Sequence, residues 1–133
     1  MRTFRRNKKT MKIISPKVHA ILDYATVIFL LAAPSLFNME SPLRTFTYAL
    51  AGIHFLLTIL TSFPLGLIKV IPFRIHGLIE VVVALALAGV AFWFKNNDSL
   101  TGFYLYLVLA AIIMLVFVLT DFKEKSPAYE SKI

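Results

Sequence analysis

At 133 residues the chain has the length of one ordinary domain, but 59% hydrophobic and 16% charged residues, with a mean hydropathy of +0.79, exclude a water-soluble one; soluble domains are about 45–50% apolar and about 25% charged. The net charge of +7 does not point to nucleic acid, because seven of the 14 Lys and Arg residues crowd into the segment before His19 and no basic face with interleaved aromatics follows. The absence of cysteine excludes disulfides, thiolate metal sites and thiol redox chemistry.

Residues 1–11 are polar and basic and read as a disordered cytoplasmic tail suited to anionic lipid headgroups. Met11 directly precedes the organised part of the chain and is a second candidate start. The first apolar run, 18–37, is 20 residues long. About 20 helical residues at 1.5 Å each cross a hydrocarbon core of roughly 30 Å. A signal-peptide core is shorter, about 7–15 residues, so the run reads as a retained span. Pro34 lies near its far end, where a lost backbone hydrogen bond is tolerable. A turn at 38–42 leads to a second run, 43–63, with Arg44 at its entrance and His54 near its middle, ended by Pro64-Leu65-Gly66. Residues 67–73 are apolar for a loop and predict an interfacial segment whose Lys69 snorkels to water. The third run is 75–94, the fourth 100–120, joined by Lys95-Asn96-Asn97-Asp98. Asp121 to Lys125 returns the chain to water, and Pro127 argues against further helix in the tail.

One stretch occurs twice. Lys12-Ile13-Ile14-Ser15-Pro16-Lys17-Val18-His19-Ala20-Ile21-Leu22-Asp23 returns as Lys69-Val70-Ile71-Pro72-Phe73-Arg74-Ile75-His76-Gly77-Leu78-Ile79-Glu80, offset by 57 residues. Leu60-Thr61-Ser62-Phe63 is echoed by Leu119-Thr120-Asp121-Phe122 at an offset of 59. The predicted fold class is therefore an all-α membrane protein: four transmembrane helices, as two tandem parallel-repeat helical hairpins, forming a small bundle. The segments are a tail (1–11), a first two-helix repeat (12–66), a linker with the second repeat (67–122) and a second tail (123–133). Two crossings per hairpin give both copies the same orientation, related by a pseudo-two-fold axis along the membrane normal. Basic residues concentrate in the tails and the linker, which the positive-inside rule places in the cytoplasm. This predicts a multi-pass protein of the bacterial inner membrane with both termini cytoplasmic. Phe92, Trp93, Phe94, Phe103, Tyr104 and Tyr106 then form an aromatic belt at the opposite interface.

Positions four apart share a helix face, so His19 with Asp23, and His76 with Glu80, form two pairs at matching depth. Thr61, Ser62, Thr120 and Asp121 end the other helices at the same level, and Lys17 and Arg74 sit just outside, where either can neutralise a carboxylate. An ionisable group inside a span is costly, which favours facing the bundle interior. The first reading of the pairs is structural: hydrogen bonds that lock the hairpins together. The second is a polar pocket on the axis that relays protons or binds a small polar or anionic ligand, with His19, Asp23, His76, Glu80, His54 and Asp121 as its residues. The third is a metal site of two imidazoles and two carboxylates, which would make the chain a metal- or haem-binding membrane redox protein, although the spacing matches neither His-Glu-x-x-His nor Glu-x-x-His. His54 stands apart, on one face with Thr58 and Thr61, and reads as an interior histidine bonded to a neighbouring helix rather than a haem or quinone contact. Gly52, Gly77 and Gly89 read as sites of close helix approach. No nucleophile with base and oxyanion hole is apparent, so neither an enzyme nor a cofactor is predicted. A four-helix unit is small for an autonomous transporter, so a transporter or proton-relay role implies a homo-oligomer.

The signature His19…Asp23 with Ala33-Pro34-Ser35-Leu36-Phe37, and Thr61-Ser62-Phe63-Pro64-Leu65-Gly66 leading through Pro72 to His76, resembles the SPW-repeat family of small bacterial integral membrane proteins. The resemblance covers about residues 12–122 and implies a recurring two-helix unit. It implies no activity. The Ser-Pro-Trp triplet itself is absent: the first copy carries Ala33-Pro34-Ser35, the second Ala91-Phe92-Trp93.

Overall fold

A computed structural model of the chain describes residues 12–123, so the expectations for the basic N-terminal tail and for the tail beyond Lys123 lie outside the described residues. The described part is four helices: α1 (Pro16–Leu36), α2 (Leu43–Ile59), α3 (Phe73–Asn96) and α4 (Leu100–Leu119). Between α2 and α3 lie two short strands, β1 (Thr61–Ser62) and β2 (Ile71–Pro72), paired in parallel. α1, α3 and α4 are long and apolar enough to cross a membrane. At 17 residues α2 is shorter, about 26 Å at 1.5 Å per residue.

Local chemistry sets the ends. Ser15 caps α1 by accepting the Val18 amide, with Pro16 in the first turn. Ser99 caps α4 by accepting the Gly102 amide. The tight turns between helices place Asn38 (φ 49°) and Asp98 (φ 62°) in the left-handed region, which Asn and Asp tolerate best among residues with a side chain.

The second helix stops at Ile59, not near Phe63 as its apolar run predicts. The linker supplies the reason. Leu67 and Ile68 amides donate to the Ile59 carbonyl, and Val70 and Ile71 amides donate to the Leu60 carbonyl. The returning chain thus satisfies carbonyls that a helix end leaves without partners, while Thr61 and Ser62 pair with β2. Gly66 makes the return possible, since a Cβ there would run into the Thr61 carbonyl. Leu67, Ile68 and Val70 remain exposed, as does Lys69, whose Nζ also donates to the Phe63 carbonyl at 2.6 Å. The third helix begins at Phe73, two residues earlier than predicted, directly after Pro72.

α1 packs on α2 and α3 on α4. One core joins the two hairpins, with Leu30, Ala33 and Ala51 from the first and Ala84, Leu87, Tyr106 and Ala110 from the second. Small alanines at these positions let the helices approach closely. Large apolar side chains such as Leu31, Ile53, Val82, Leu85, Val108 and Leu115 are exposed all round, a surface that suits lipid. The expected aromatic belt is only half realised. Phe92, Trp93 and Tyr104 face outward, whereas Phe94, Phe103 and Tyr106 are buried. The 3.6-residue period turns these three into the core, where Phe94 and Tyr106 stack and Phe46 packs edge-on against Tyr106. The glycines also divide. A Cβ at Gly77 would press on the Phe122 ring at 2.7 Å, but nothing lies within 4 Å of one at Gly52 or Gly89, so those two mark no close approach within the chain.

Candidate functional site

The site lies at the end of the bundle where α1 and α3 begin and α2 and α4 finish. Helical spacing brings His19 Nε2 to 3.5 Å from Asp23 Oδ1, and His76 Nε2 to 3.2 Å from Glu80 Oε2. Packing of the hairpins adds two shorter contacts across the bundle. His19 Nε2 lies 3.1 Å from Glu80 Oε1, and His76 Nε2 lies 3.0 Å from Asp23 Oδ2. Each carboxylate therefore spans both imidazoles, and the rings stand edge to face at 5.3 Å. The histidine side chains are fully enclosed and the carboxylates 6% exposed.

The outer nitrogens are held just as reciprocally. His19 Nδ1 meets Thr120 Oγ1 at 2.9 Å, and His76 Nδ1 meets Thr61 Oγ1 at 2.7 Å. Each threonine hydroxyl donates to its own helix, Thr120 to the Val116 carbonyl and Thr61 to the Leu57 carbonyl. A hydroxyl has one proton to give. Towards histidine each threonine can only accept, so both Nδ1 atoms carry a proton and donate. The hydrogen-bond network thereby selects the tautomer and turns Nε2 of both rings inward. There, His19 Nε2, His76 Nε2, Asp23 Oδ2 and Glu80 Oε1 are buried without an aligned hydrogen bond among the described residues.

Three phenylalanines cover the histidines on the loop side. Phe73 stands edge-on to His19 at 5.1 Å and packs on Phe122 at 4.6 Å. Phe63 lies 5.5 Å from His76. These rings exclude water and lower the local dielectric, which strengthens every charge contact beneath them. Sequence reasoning passed over them. Their one legible signal was that Phe63 and Phe122 each follow the bonding threonine by two residues.

Of the six predicted site residues, His19, Asp23, His76 and Glu80 converge. His54 meets a neighbouring helix as expected, but it joins the edge of the cluster instead of standing apart, its Nε2 approaching Asp23 Oδ1 at 3.7 Å; which helix meets Asp23 is not readable from the sequence. Thr58 bonds back to the His54 carbonyl. Asp121 is not part of the cluster. Its carboxylate accepts the Lys123 amide at 3.0 Å, while its own amide donates to the Ile14 carbonyl. Among the described residues the ion-pair partners of Asp23 and Glu80 are histidines, not Lys17 or Arg74.

The order threonine, histidine, carboxylate invites comparison with a nucleophile relay. Both hydroxyl protons are committed to helix carbonyls, and Thr61 and Thr120 are wholly buried. Neither is placed to attack a substrate. What the centre offers is negative charge and inward-facing lone pairs. No family model matches the chain, and comparison with curated proteins and with solved structures gives no match either.

Proposed function

We propose that this chain is a non-enzymatic, multi-pass protein of the bacterial inner membrane, built from two tandem hairpins, whose working centre holds a cation between them. The observation that carries the reading is the convergence of four buried polar atoms, paired at 3.0 and 3.1 Å, that make no aligned hydrogen bond among the described residues. With Nδ1 protonated and Nε2 bare, each imidazole would aim a lone pair at two carboxylates about 3 Å away, an arrangement that repels. Two carboxylates leave a charge of −2 to balance. Protons on both Nε2 atoms or one divalent ion would each supply it. An anionic ligand, one of the options raised by the sequence, does not suit this charge.

The tandem-hairpin reading is supported by equivalent contacts at equivalent positions. Ile14 bridges Thr120 as Ile71 pairs with Thr61, and the Ile14 amide donates to the Leu119 carbonyl as the Ile71 amide does to that of Leu60. These pairs follow the 57- and 59-residue offsets. Membership of the SPW-repeat family fits the same unit. Cytoplasmic termini follow from the basic residues of the tails and linker, and the lipid bilayer is the partner that the exposed apolar surface requires.

Nitrogen-15 NMR of histidine-labelled protein in mild detergent tests the cation. Nδ1 of His19 and His76 should be protonated, and Nε2 should carry either a proton or a metal. A bare Nε2 on either ring overturns the reading.

A further inference from the structure

The geometry points to a divalent first-row transition metal as the cation, held by Nε2 of His19 and His76 and by one carboxylate oxygen each of Asp23 and Glu80. This inference rests on the cation reading above and specifies its ligand.

Three observations carry it. The first is spacing. Metal–nitrogen and metal–oxygen bonds of about 2.1 Å at tetrahedral angles leave neighbouring donors about 3.4 Å apart. Counting both oxygens of each carboxylate, the nearest nitrogen–oxygen separations of the four His–carboxylate pairs are 3.0, 3.1, 3.2 and 3.5 Å. One donor atom from each of the four residues can be chosen so that all lie within 4.8 Å of one another.

The second is the absence of competing bonds. Four buried polar atoms, in two nitrogen–oxygen pairs 3.0 and 3.1 Å apart, make no aligned hydrogen bond among the described residues. Each such atom left unsatisfied costs about 1–3 kcal/mol. A coordinated ion satisfies all four at once, and its charge of +2 cancels the two carboxylates.

The third is the outer layer. A metal-bound histidine almost always donates its other ring N–H to a fixed acceptor, which sets ring orientation and leaves the ligating lone pair free. Thr120 and Thr61 are such acceptors, and both are anchored to helix carbonyls. The same acceptors would serve imidazolium rings paired with the carboxylates, so this layer supports the metal by fixing ring orientation and tautomer. Imidazole with carboxylate, and no thiolate, suits zinc, iron or manganese over copper(I). His54 is the exception to the two-fold arrangement, since it approaches Asp23 alone. It is a positioning residue for that ligand.

The test uses the full chain purified in mild detergent. Metal analysis and native mass spectrometry after exposure to Zn²⁺ should find one ion per chain. Substituting Co²⁺ should give visible ligand-field bands, and paramagnetic shifts should appear on the ring protons of His19 and His76. The combined variant His19→Gln with His76→Gln should lose the stoichiometric ion. His54→Gln should retain it with affinity reduced about tenfold, the lower end of outer-layer effects. An ion kept by the double variant would be adventitious and would overturn the inference. Should that variant fail to fold, the Co²⁺ shifts in the unaltered protein decide: shifts on other residues, or none, overturn it. Protons found on both Nε2 atoms in protein that takes up no Zn²⁺ would defeat the metal alone, leaving the cation reading intact. Bare Nε2 atoms would defeat both.

Discussion

Thr47 and Tyr106 meet hydroxyl to hydroxyl in the core, and their positions differ by the same 59 residues that separate Thr61 from Thr120. Residues at equivalent positions of two copies can touch each other only where they lie on the axis relating the copies. The His19–His76 ring contact, at an offset of 57, obeys the same condition at the opposite end of the bundle. The two contacts thus trace the line that the tandem-hairpin proposal requires. Tyr106→Phe removes the upper one and strands Thr47. Unfolding in SDS should show a loss of about 0.6–1.7 kcal/mol, the range for hydrogen bonds between membrane helices, with metal content unchanged. A loss of the bound ion in this variant would show that the two ends are not independent.

Thr61→Val and Thr120→Val keep side-chain shape but leave a buried imidazole N–H without an acceptor. Each should cost about 1–3 kcal/mol, measured by the same unfolding assay. The two losses should agree to within a few tenths of a kcal/mol, because the two threonines make matching pairs of bonds. A large loss for one and none for the other would contradict the proposed equivalence.

Asp23 and Glu80 should not be equivalent. Asp23 contacts three histidines, Glu80 two. Breaking a buried pair by neutralising one partner costs roughly 3–5 kcal/mol. Asp23→Asn should therefore destabilise more than Glu80→Gln, and the difference should vanish in a His54→Gln background. The comparison is a double-mutant cycle read from unfolding free energies.

Glycine substitutions separate loop geometry from helix packing. Gly66→Ala should abolish the folded monomer band in mild detergent, since its Cβ would collide with the Thr61 carbonyl that begins β1. Gly52→Ala and Gly89→Ala meet open space and should stabilise the helices by about 0.5–1 kcal/mol. Thermal unfolding followed by circular dichroism reports all three. Destabilisation by the latter two would show that a neighbouring molecule packs against those exposed faces.

The chain has no cysteine, so single cysteines report topology without background. Ser41→Cys and Asn97→Cys should react with an impermeant maleimide from outside intact cells, and Lys69→Cys only after lysis. Labelling of position 69 from outside would reverse the proposed orientation.

The sequence by itself determined the four apolar helices and the position of their turns, because lipid demands long uncharged runs and punctuates them with Pro, Asn and charge. It also determined that His19 and Asp23, and His76 and Glu80, form pairs, because a separation of four on a helix is a contact. Only the tertiary structure decided that each carboxylate reaches the other hairpin's histidine, that Thr61 and Thr120 hold the outer nitrogens, and that Asp121 turns away while His54 joins Asp23. These contacts depend on how far each helix is rotated about its own axis when it packs. The periodicity of α4 carries no such information: this helix is apolar on every face, so nothing in its composition says which side meets Thr47 and which meets lipid. Rotation is settled by small alanines, buried aromatics and the capping of α2 by the returning linker, all of which act between segments far apart in the chain.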